Sequence, residues 1–336
     1  MKKALLVSAC VLLGLLAILA IYLLRPLEHE PRPADFQCLA LDGGRFEPFT
    51  PEATEREPTV FGVGLSYSKH LNETASSFDP ASGPPVFRKD ARPLAAKSGA
   101  VRMPQAEELL AAMEAFEPGL ADLAHKARGG RDLPALLDYE TELGFVLLED
   151  IPAGRLADPS FAPALGFFLA NDLTARTVAI MGEGQPNRED YWGVAKSFPG
   201  FLPVADQVWI AKKRPVAGIP CVTLETLVNG QRRQQESTAN MIYTPEDMLR
   251  AIDKKFPRQP LKRGDLVLMG TPGGVALATP RWLARLSALV GMDRFGKLNA
   301  ILRRDRSAFL SAGDVVIVRG EGLGAVETRV QGAVAQ

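Results

Sequence analysis

The stretch Asp138-Tyr139-Glu140-Thr141-Glu142-Leu143 leads into an apolar run that ends at Leu148. This composition predicts an extended segment, and residues two apart on a strand point to the same face. Glu140 and Glu142 would therefore present two carboxylates to one point. Asp172, in Asn171-Asp172-Leu173, supplies a third oxygen ligand.

These three carboxylates predict a divalent-metal site. No histidine or cysteine lies near them in the sequence, so the set favours a hard, oxygen-binding cation. Mg2+ is the first choice, with Mn2+ or Ca2+ as alternatives, and zinc is disfavoured. The competing interpretation is that Glu140 and Glu142 belong to a solvated strand face.

Short motifs in a fixed order run from about Phe61 to about Val330. In chain order they are G-V-G-L-S-Y at 62–67 with His70 and Glu73, P-V-F-R-K at 85–89, the two acidic segments, G-V-A-K-S-F at 193–198, V-N-G at 228–230 with Gln234, Gly264-Asp265 with G-T-P at 270–272, and Gly313-Asp314 with E-G-L-G at 321–324. Their order and spacing resemble the fumarylacetoacetate hydrolase family, of the C-terminal catalytic domain type. The resemblance implies a β-barrel-like, β-sandwich-roll fold that forms homodimers.

The composition indicates one sizeable globular domain. The chain has 336 residues, and Lys+Arg equals Asp+Glu at 39 each. A nucleic-acid partner is excluded, because it would normally require a basic stripe or face. Apolar or β-branched runs bounded by Gly, Pro or Asp predict strands at 59–65, 143–148, 208–211, 221–228, 266–269 and 315–319. Together with a few periodic helices they predict an α+β, β-rich domain.

The N-terminus predicts a membrane anchor. Met1-Lys2-Lys3 precedes an uncharged apolar run from Ala4 to Leu24, which as a helix would span roughly 31 Å. A cleavable signal peptide has a shorter apolar region and a small-residue cleavage site. We therefore expect a transmembrane signal anchor over 1–25, a linker and N-terminal extension over 26–58, and the catalytic domain over 59–332.

Basic residues and cysteines bear on localisation. Lys2 and Lys3 precede the span, which favours a cytoplasmic N-terminus and an extracytoplasmic, periplasmic catalytic domain. Cys10 lies in a segment similar to a lipoprotein cleavage box, and its alternative role is an ordinary apolar helix residue. Cys38 and Cys221 permit one disulfide without requiring it, and a buried strand position is the alternative for Cys221.

Helical periodicity is found over 105–127, 245–255 and 281–302. The first segment and a basic one over 281–306 read as insertions in the family core. An amphipathic basic helix beside an anchor could rest on anionic lipid. The alternative is a solvated helical pair or a lid near the site.

His70 and Glu73 are the predicted proton-transfer pair. Their spacing places both on one side of a helical turn, and a glutamate bonded to an imidazole can orient it as a general base. The resemblance implies that this pair activates water and often lies on a lid. Without the neighbouring motifs, His70 would equally be a surface histidine.

The resemblance also implies a set of substrate-binding residues. Lys196 is placed at the active site to stabilise developing negative charge, and Arg176 beside Asp172. Simple ion pairing with nearby acids is their alternative role. The resemblance assigns substrate contacts to Gln234 and Thr271 and a position near the pocket to Lys89, while Thr271 alone also suits a local turn. Thr177 stands where relatives commonly carry an aspartate.

The sequence therefore predicts a metal-dependent hydrolase that cleaves a carbon-carbon bond in a 1,3-diketo acid of the acylpyruvate type. His70 and Glu73 would activate water, and an enolate would depart. Decarboxylation of a 2-oxo acid and isomerisation of a 2-oxo enoate are alternatives on the same scaffold. A non-catalytic, metal-containing binding module at the membrane is a further alternative.

Overall fold

Two mixed β-sheets form the framework of the protein. The computed structural model describes residues 15–24, 31–50, 57–74, 78, 80–90, 94–95 and 98–332. The strands are β1 Gln37–Leu39, β2 Gly44–Pro48, β3 Val60–Val63, β4 Val86–Lys89, β5 Leu94–Ala95, β6 Ser98–Arg102, β7 Leu137–Asp138, β8 Thr141–Leu147, β9 Leu165–Asn171, β10 Thr174–Ala175, β11 Leu202–Pro203, β12 Gln207–Ala211, β13 Gly218–Pro220, β14 Thr223–Val228, β15 Gln231–Ser237, β16 Leu266–Leu268, β17 Val315–Gly320 and β18 Gly324–Gln331.

The helices are α1 at 15–24, α2 Ser68–Glu73, α3 Ala106–Phe116, α4 Leu120–Ala127, α5 Arg176–Ile180, α6 Arg188–Ala195, α7 Pro245–Lys255, α8 Arg281–Leu289 and α9 Arg294–Leu302. Short 3-10 turns lie at Leu41–Gly43, Pro80–Ser82, Arg155–Ala157 and Thr238–Asn240. This arrangement confirms the α+β class with inserted helices.

The larger sheet has seven strands in the order β2-β12-β9-β8-β16-β3-β4, and the other has five in the order β15-β14-β17-β18-β6. β14 and β17 pack against β8, and β17 and β18 against β9, so the sheets lie face to face. At the centre, β8 and β9 pair antiparallel from Thr141 opposite Asn171 to Leu147 opposite Leu165. The ends of these two strands carry the acidic residues.

Both faces of the larger sheet are buried. On β8 and β9, Phe145 and Phe167 belong to the main core, whereas Val146 and Phe168 belong to a second apolar cluster. Adjacent strand residues point to opposite faces, which explains why neighbours in the sequence fall into different clusters. The strands are accordingly apolar throughout rather than alternating.

Each predicted insertion is a pair of helices. The segment 105–127 is broken between α3 and α4, where Gly119 adopts a φ of 87°. The segment 281–306 is broken between α8 and α9, with Gly291 at a φ of 63°. Glycine permits these left-handed backbone conformations, so the chain can turn there. α9 packs on α5, which places the second pair beside the acidic residues.

The prediction of a transmembrane anchor over 1–25 is wrong. Of that segment the structure describes 15–24, whereas 1–14 (with Cys10) and 25 lie outside the described residues. A helix of that length covers about 15 Å, against about 30 Å for the hydrocarbon core of a bilayer. Among the residues described, no helix combines the length and the apolar character that crossing a membrane requires. The predicted membrane-anchored, extracytoplasmic localisation is therefore wrong as well.

Cys38 and Cys221 form a disulfide that joins segments separated by 183 residues. Cys38 lies on β1, which pairs parallel with β13, and Cys221 follows β13 directly. The alternative of a buried strand position for Cys221 is therefore wrong, since the residue is half-buried and outside the strands. The described part of the predicted linker thus contributes β1 and β2 to sheets.

Candidate active site

The three predicted metal ligands meet at one point. Glu140, Glu142 and Asp172 are buried, and one carboxylate oxygen of each lies within 4.8 Å of the others. Glu142 lies on β8 and Glu140 immediately precedes it, while Asp172 follows β9. The Asp172 N–H donates to the Glu140 carbonyl at 2.8 Å, which extends the pairing of the two strands. Strand pairing therefore aligns the carboxylates.

The turn at Gly270 holds the carboxylate of Glu142. The Gly270 N–H donates to Glu142 Oε2 at 2.7 Å. Gly270 has a φ of 91°, and a Cβ there would lie 2.6 Å from Ser66 Oγ and 2.8 Å from the Val63 carbonyl. A side chain at this position would collide with the loop that leads to α2. Gly270 thus lets two loops approach each other around Glu142.

Three basic residues surround the carboxylates. Arg176 donates from Nε to Asp138 at 2.7 Å and from Nη2 to Glu140 at 2.6 Å. Lys196 Nζ donates to Glu140 Oε2 at 2.6 Å and to Asp172 Oδ2 at 2.5 Å. Lys89 Nζ donates to the other oxygen of Asp172. Lys196 and Arg176 therefore form ion pairs with nearby acids, as their alternative role predicted. They also lie beside the proposed metal ligands.

Electrostatics divide the carboxylates into two kinds. Burial opposes ionisation of Glu140, but Lys196 and Arg176 outweigh it and lower its pKa to about 2. Burial raises the pKa of Glu142 well above its usual value, and the negative charge of Asp172 adds to this effect. Among the described residues no lysine or arginine forms a salt bridge with Glu142. The charge of Lys196 offsets only part of the rise in the pKa of Glu142, so Glu142 is the least compensated of the three carboxylates.

The lysines also differ from each other. Burial opposes the charge of Lys196, yet Asp172 and Glu140 outweigh it and raise its pKa. Burial lowers the pKa of Lys89 in spite of its contact with Asp172, and the charge of Lys196 contributes to the lowering. Lys196 is thus the more firmly charged of the two, and its Nζ lies 5.7 Å from the centre of the Phe87 ring.

His70 and Glu73 contact each other on α2, as predicted. The distance from His70 Nδ1 to Glu73 Oε1 is 2.9 Å. Glu73 Oε2 also accepts the Gly274 N–H at 2.7 Å, so the pair is fixed to the loop after β16. A carboxylate on Nδ1 leaves the Nε2 atom of the imidazole for a reactant.

Gln234 and Thr271 form a buried hydrogen-bond network. Gln234 Nε2 donates to Thr271 Oγ1 at 2.8 Å, and Gln234 Oε1 accepts the Thr141 N–H at 3.0 Å. Thr271 Oγ1 donates to the Thr141 carbonyl at 3.0 Å. Thr271 borders the cavity described below, whereas Gln234 does not and instead holds Thr271 in place.

A cavity of about 720 Å³ opens onto these groups. The site residues that line it are His70, Glu140, Glu142, Arg176, Lys196 and Thr271. Glu73, Asp172 and Lys89 are outside this lining: Glu73 contacts His70, and Asp172 contacts both Lys89 and Lys196. Asp172 remains within 4.8 Å of the other two proposed metal ligands, whereas Glu73 and Lys89 can only position their neighbours.

Asp138 is a functional position that the sequence prediction missed. Besides the Arg176 contact, its carboxylate accepts the backbone N–H groups of Ala276 at 2.8 Å and Leu277 at 3.1 Å. It thereby ties Arg176 to the loop after β16. Its place in the same acidic stretch as Glu140 and Glu142 was the available signal. Thr177, where relatives commonly carry an aspartate, donates to the Pro134 carbonyl at 2.5 Å.

The chain belongs to the fumarylacetoacetate (FAA) hydrolase family. The family model described as fumarylacetoacetate (FAA) hydrolase C-terminal matches residues 59–331. The chain is similar to the mitochondrial oxaloacetate tautomerase of Schizosaccharomyces pombe, with 33% identity over 42% of this chain and 61% of the relative. It also resembles a 4-hydroxyphenylacetate degradation bifunctional isomerase/decarboxylase of Salmonella dublin, with 25% identity over 66% of this chain and 42% of the relative.

A solved structure shares the fold. It is the fumarylpyruvate hydrolase of Pseudomonas aeruginosa, crystallised in complex with Mn2+ and pyruvate, with a TM-score of 0.52 and 17% identity. The alignment covers 92% of this chain and 100% of that protein. The names of these proteins refer to hydrolysis, isomerisation, decarboxylation and tautomerisation, so the similarities do not select one reaction.

The carboxylate site fits a divalent cation. Its donors are all oxygen atoms, and they converge from three side chains. Within the described part of the chain, buried Glu142 has no salt bridge, and a metal ion would supply the cation that it needs to be charged. Four buried carboxylates, those of Asp138, Glu140, Glu142 and Asp172, face the three basic groups of Lys89, Arg176 and Lys196. If all of them are charged, the cluster carries one excess negative charge.

Proposed function

We propose that this protein is a metal-dependent hydrolase that cleaves the carbon-carbon bond of an acylpyruvate-like 1,3-diketo acid. One observation carries the proposal: the His70-Glu73 pair, the carboxylate site and Lys196 meet at a single cavity. Such a cavity combines a base for water, a cation site and a fixed positive charge. These are the groups that attack on a carbonyl and departure of an enolate require.

Charge balance supports a monoanionic head group beside the cation. A divalent cation changes the excess of one negative charge in the cluster to an excess of one positive charge. One substrate carboxylate then makes the buried site neutral, which lowers the cost of burial. The assigned ligands are Glu140, Glu142 and Asp172. Mg2+ or Mn2+ at this position would polarise the oxygens of a 2-oxo acid.

His70 would begin the reaction as a general base. Its Nε2 accepts a proton from water while Glu73, on Nδ1, stabilises the imidazolium that forms. The oxygen of that water bonds to the acyl carbonyl carbon distal to the carboxylate. The bond between this carbon and the methylene of the pyruvate unit then breaks, and its electron pair remains on the pyruvate enolate.

Lys196 and Arg176 would stabilise the departing group. Lys196 lines the cavity with a raised pKa, so its positive charge persists at neutral pH beside the developing enolate. Protonation of the enolate carbon by the His70 imidazolium gives pyruvate. The second product is the carboxylic acid of the acyl chain, so one water is consumed for each bond cleaved.

Keto-enol tautomerisation of a 2-oxo diacid is the second candidate. It is favoured by the 33% identity to the oxaloacetate tautomerase. The same His70 could move a proton between carbon and oxygen without adding water. Decarboxylation and enoate isomerisation use the same enolate stabilisation and stay alternatives.

The homodimer implied by the family resemblance is an expectation about oligomeric state.

The test is to incubate the full-length protein with acetylpyruvate and, separately, oxaloacetate. Each reaction contains Mg2+, Mn2+ or EDTA, and proton NMR identifies the products. We expect metal-dependent formation of acetate and pyruvate from acetylpyruvate, and its loss in His70→Ala. Accelerated enol-keto exchange of oxaloacetate without cleavage of acetylpyruvate would favour the tautomerase. Pyruvate formed from oxaloacetate alone would favour the decarboxylase, and metal binding without turnover of either would favour the binding module.

A further inference from the structure

The cavity extends well beyond the charged groups, along the inserted helices. From α8 it is lined by Leu283, Ala284 and Leu286, and from α9 by Ala300 and Ile301. These positions are partly buried, whereas Leu298 of α9 is buried in the core and Trp282 and Leu289 of α8 are exposed. An amphipathic pair that packed only on the domain would have its apolar face covered by protein. Here part of that face borders open space.

The domain contributes further apolar residues to the lining of the same space. They are Leu65, Phe87, Ile180 and Trp192, of which the first three are buried and Trp192 packs against the core. Phe87 and Trp192 meet edge to face, with ring centroids 6.2 Å apart. The chamber is therefore lined by aromatic and aliphatic side chains of the domain as well as by the inserted helices.

We propose that this chamber binds an unbranched apolar acyl chain carried by a 2-oxo acid. The inference rests on the proposed function, because it places the 2-oxo carboxylate end at the carboxylate site and directs the chain towards α8 and α9. A pyruvate unit with a two-carbon acyl group would leave most of about 720 Å³ to water. Transfer of methylenes from water to apolar walls is favourable, so a longer chain uses space that a short one leaves wet.

Two basic residues of the lining, Lys297 and Arg188, are already paired with acids. Lys297 lies 3.4 Å from Glu183, which lines the same cavity. Arg188 lies 3.5 Å from Glu189 and stacks over the Trp192 ring at 4.9 Å. Their charge is already matched by an acid, so an anionic tail would have to compete for them.

Helix α1 borders the chamber through Tyr22. Arg285 Nη1 donates to the carbonyls of Tyr22 at 3.0 Å and Leu23 at 3.2 Å, which connects α1 to α8. Arg304, also in the lining, is exposed to solvent.

Binding of saturated 2-oxo acids, which have no acyl bond to hydrolyse, tests the proposal separately from turnover. Calorimetry with full-length protein and Mn2+ would compare pyruvate, 2-oxobutanoate, 2-oxohexanoate and 2-oxooctanoate. Full burial of a methylene corresponds to about fourfold in the dissociation constant. We expect 2-oxooctanoate to bind at least about tenfold more tightly than 2-oxobutanoate, which allows for incomplete burial.

Two phenylalanine variants locate the chain. Ala284→Phe fills the chamber and should abolish the gain with chain length while leaving the affinity for pyruvate within about twofold. Leu289→Phe is the matched control, because Leu289 is on the same helix but is exposed and outside the cavity lining. It should retain the wild-type dependence on chain length. Circular dichroism would verify that both variants fold.

Three results would overturn the inference. The first is an affinity that does not change with chain length in the wild type. The second is tighter binding of the eight-carbon 2-oxo dioate than of 2-oxooctanoate, which would make the basic residues a receptor for a second carboxylate. The third is an equal loss in both phenylalanine variants. If neither pyruvate nor any longer acid binds, the proposed function fails together with this inference, whereas pyruvate binding with a flat series rejects the chain chamber alone.

Discussion

Glu73 holds the imidazole of His70 at 2.9 Å through Oε1 and accepts the Gly274 N–H at 2.7 Å through Oε2. One carboxylate therefore connects α2 to the loop that follows β16. That loop also supplies the Gly270 N–H to Glu142. The base and one proposed metal ligand are thus positioned by the same loop.

Replacing Glu73 with glutamine tests the pairing. The amide keeps the size of the side chain but removes the negative charge beside the imidazole, so His70 loses stabilisation of its protonated form. We expect kcat for acetylpyruvate to fall by about 10- to 100-fold, as for other residues that orient a reactive group. Affinity for Mn2+ should stay within about twofold, because Glu73 is not a proposed ligand. An unchanged kcat would contradict the assigned role.

In EDTA, replacing Glu142 or Asp172 with its neutral amide should affect the free energy of unfolding differently. Glu142 is buried with a raised pKa, so stability decreases as pH rises from its unfolded pKa towards its folded one. Glu142→Gln should leave the free energy of unfolding unchanged or raise it by about 1 kcal/mol. Asp172→Asn leaves Lys89 and Lys196 with less compensation and should cost about 3–5 kcal/mol.

Urea unfolding of both variants at pH 7 gives these free energies. Comparing the two variants shows whether the metal-free protein needs the negative charge of Glu142, as it needs that of Asp172. If Glu142→Gln destabilised the metal-free protein as much as Asp172→Asn, Glu142 would be a structural acid. The assignment of Glu142 as the ligand that awaits a cation would then be wrong.

A pH-dependent ion pair fastens α9 to the domain. Arg294 lies 2.7 Å from Glu117, and this hydrogen bond lowers the pKa of Glu117. A depressed folded pKa contributes stability above the unfolded value, near 4.5, and that stability is lost as pH falls through the folded pKa. Glu117→Gln should therefore lower Tm at pH 7, by an amount equivalent to at most about 1 kcal/mol. Below the folded pKa the difference should vanish, and a difference independent of pH would reject the ion pair.

The disulfide between Cys38 and Cys221 should stabilise the fold. It closes a long loop, with 183 residues of separation, and thereby restricts the unfolded chain. Reduction with dithiothreitol should lower the free energy of unfolding by about 2–4 kcal/mol. The Cys38→Ser, Cys221→Ser double variant is the control and should be insensitive to the reductant. A wild type that is equally insensitive would show that the bond contributes little.

Sequence reasoning reached the site where the information was local. Glu140 and Glu142 were placed together by strand periodicity, and the i,i+3 spacing placed His70 beside Glu73. The contact between Lys89 and Asp172 joins residues 83 positions apart, and no periodicity encodes it. The resemblance to the family named both residues but not their contact.

The errors have physical causes too. Apolar length alone predicted a membrane span, yet the described part of it, α1 at 15–24, has carbonyls that accept hydrogen bonds from Arg285 of the domain. The spacing of apolar residues continues across Gly119 and Gly291, so each pair of helices was predicted as one continuous helix. Buried Asp138 was quoted within the acidic stretch, but its role depends on Arg176, which is distant in sequence.

Mn2+ binding followed by electron paramagnetic resonance tests the central claim most directly. Full-length protein should bind one Mn2+ per chain, Glu142→Gln should weaken that binding by about 10-fold or more, and pyruvate should change the spectrum of the bound ion. Wild-type affinity in Glu142→Gln, or no change of the bound-ion spectrum with pyruvate, would contradict a metal centre that binds 2-oxo acids at these carboxylates.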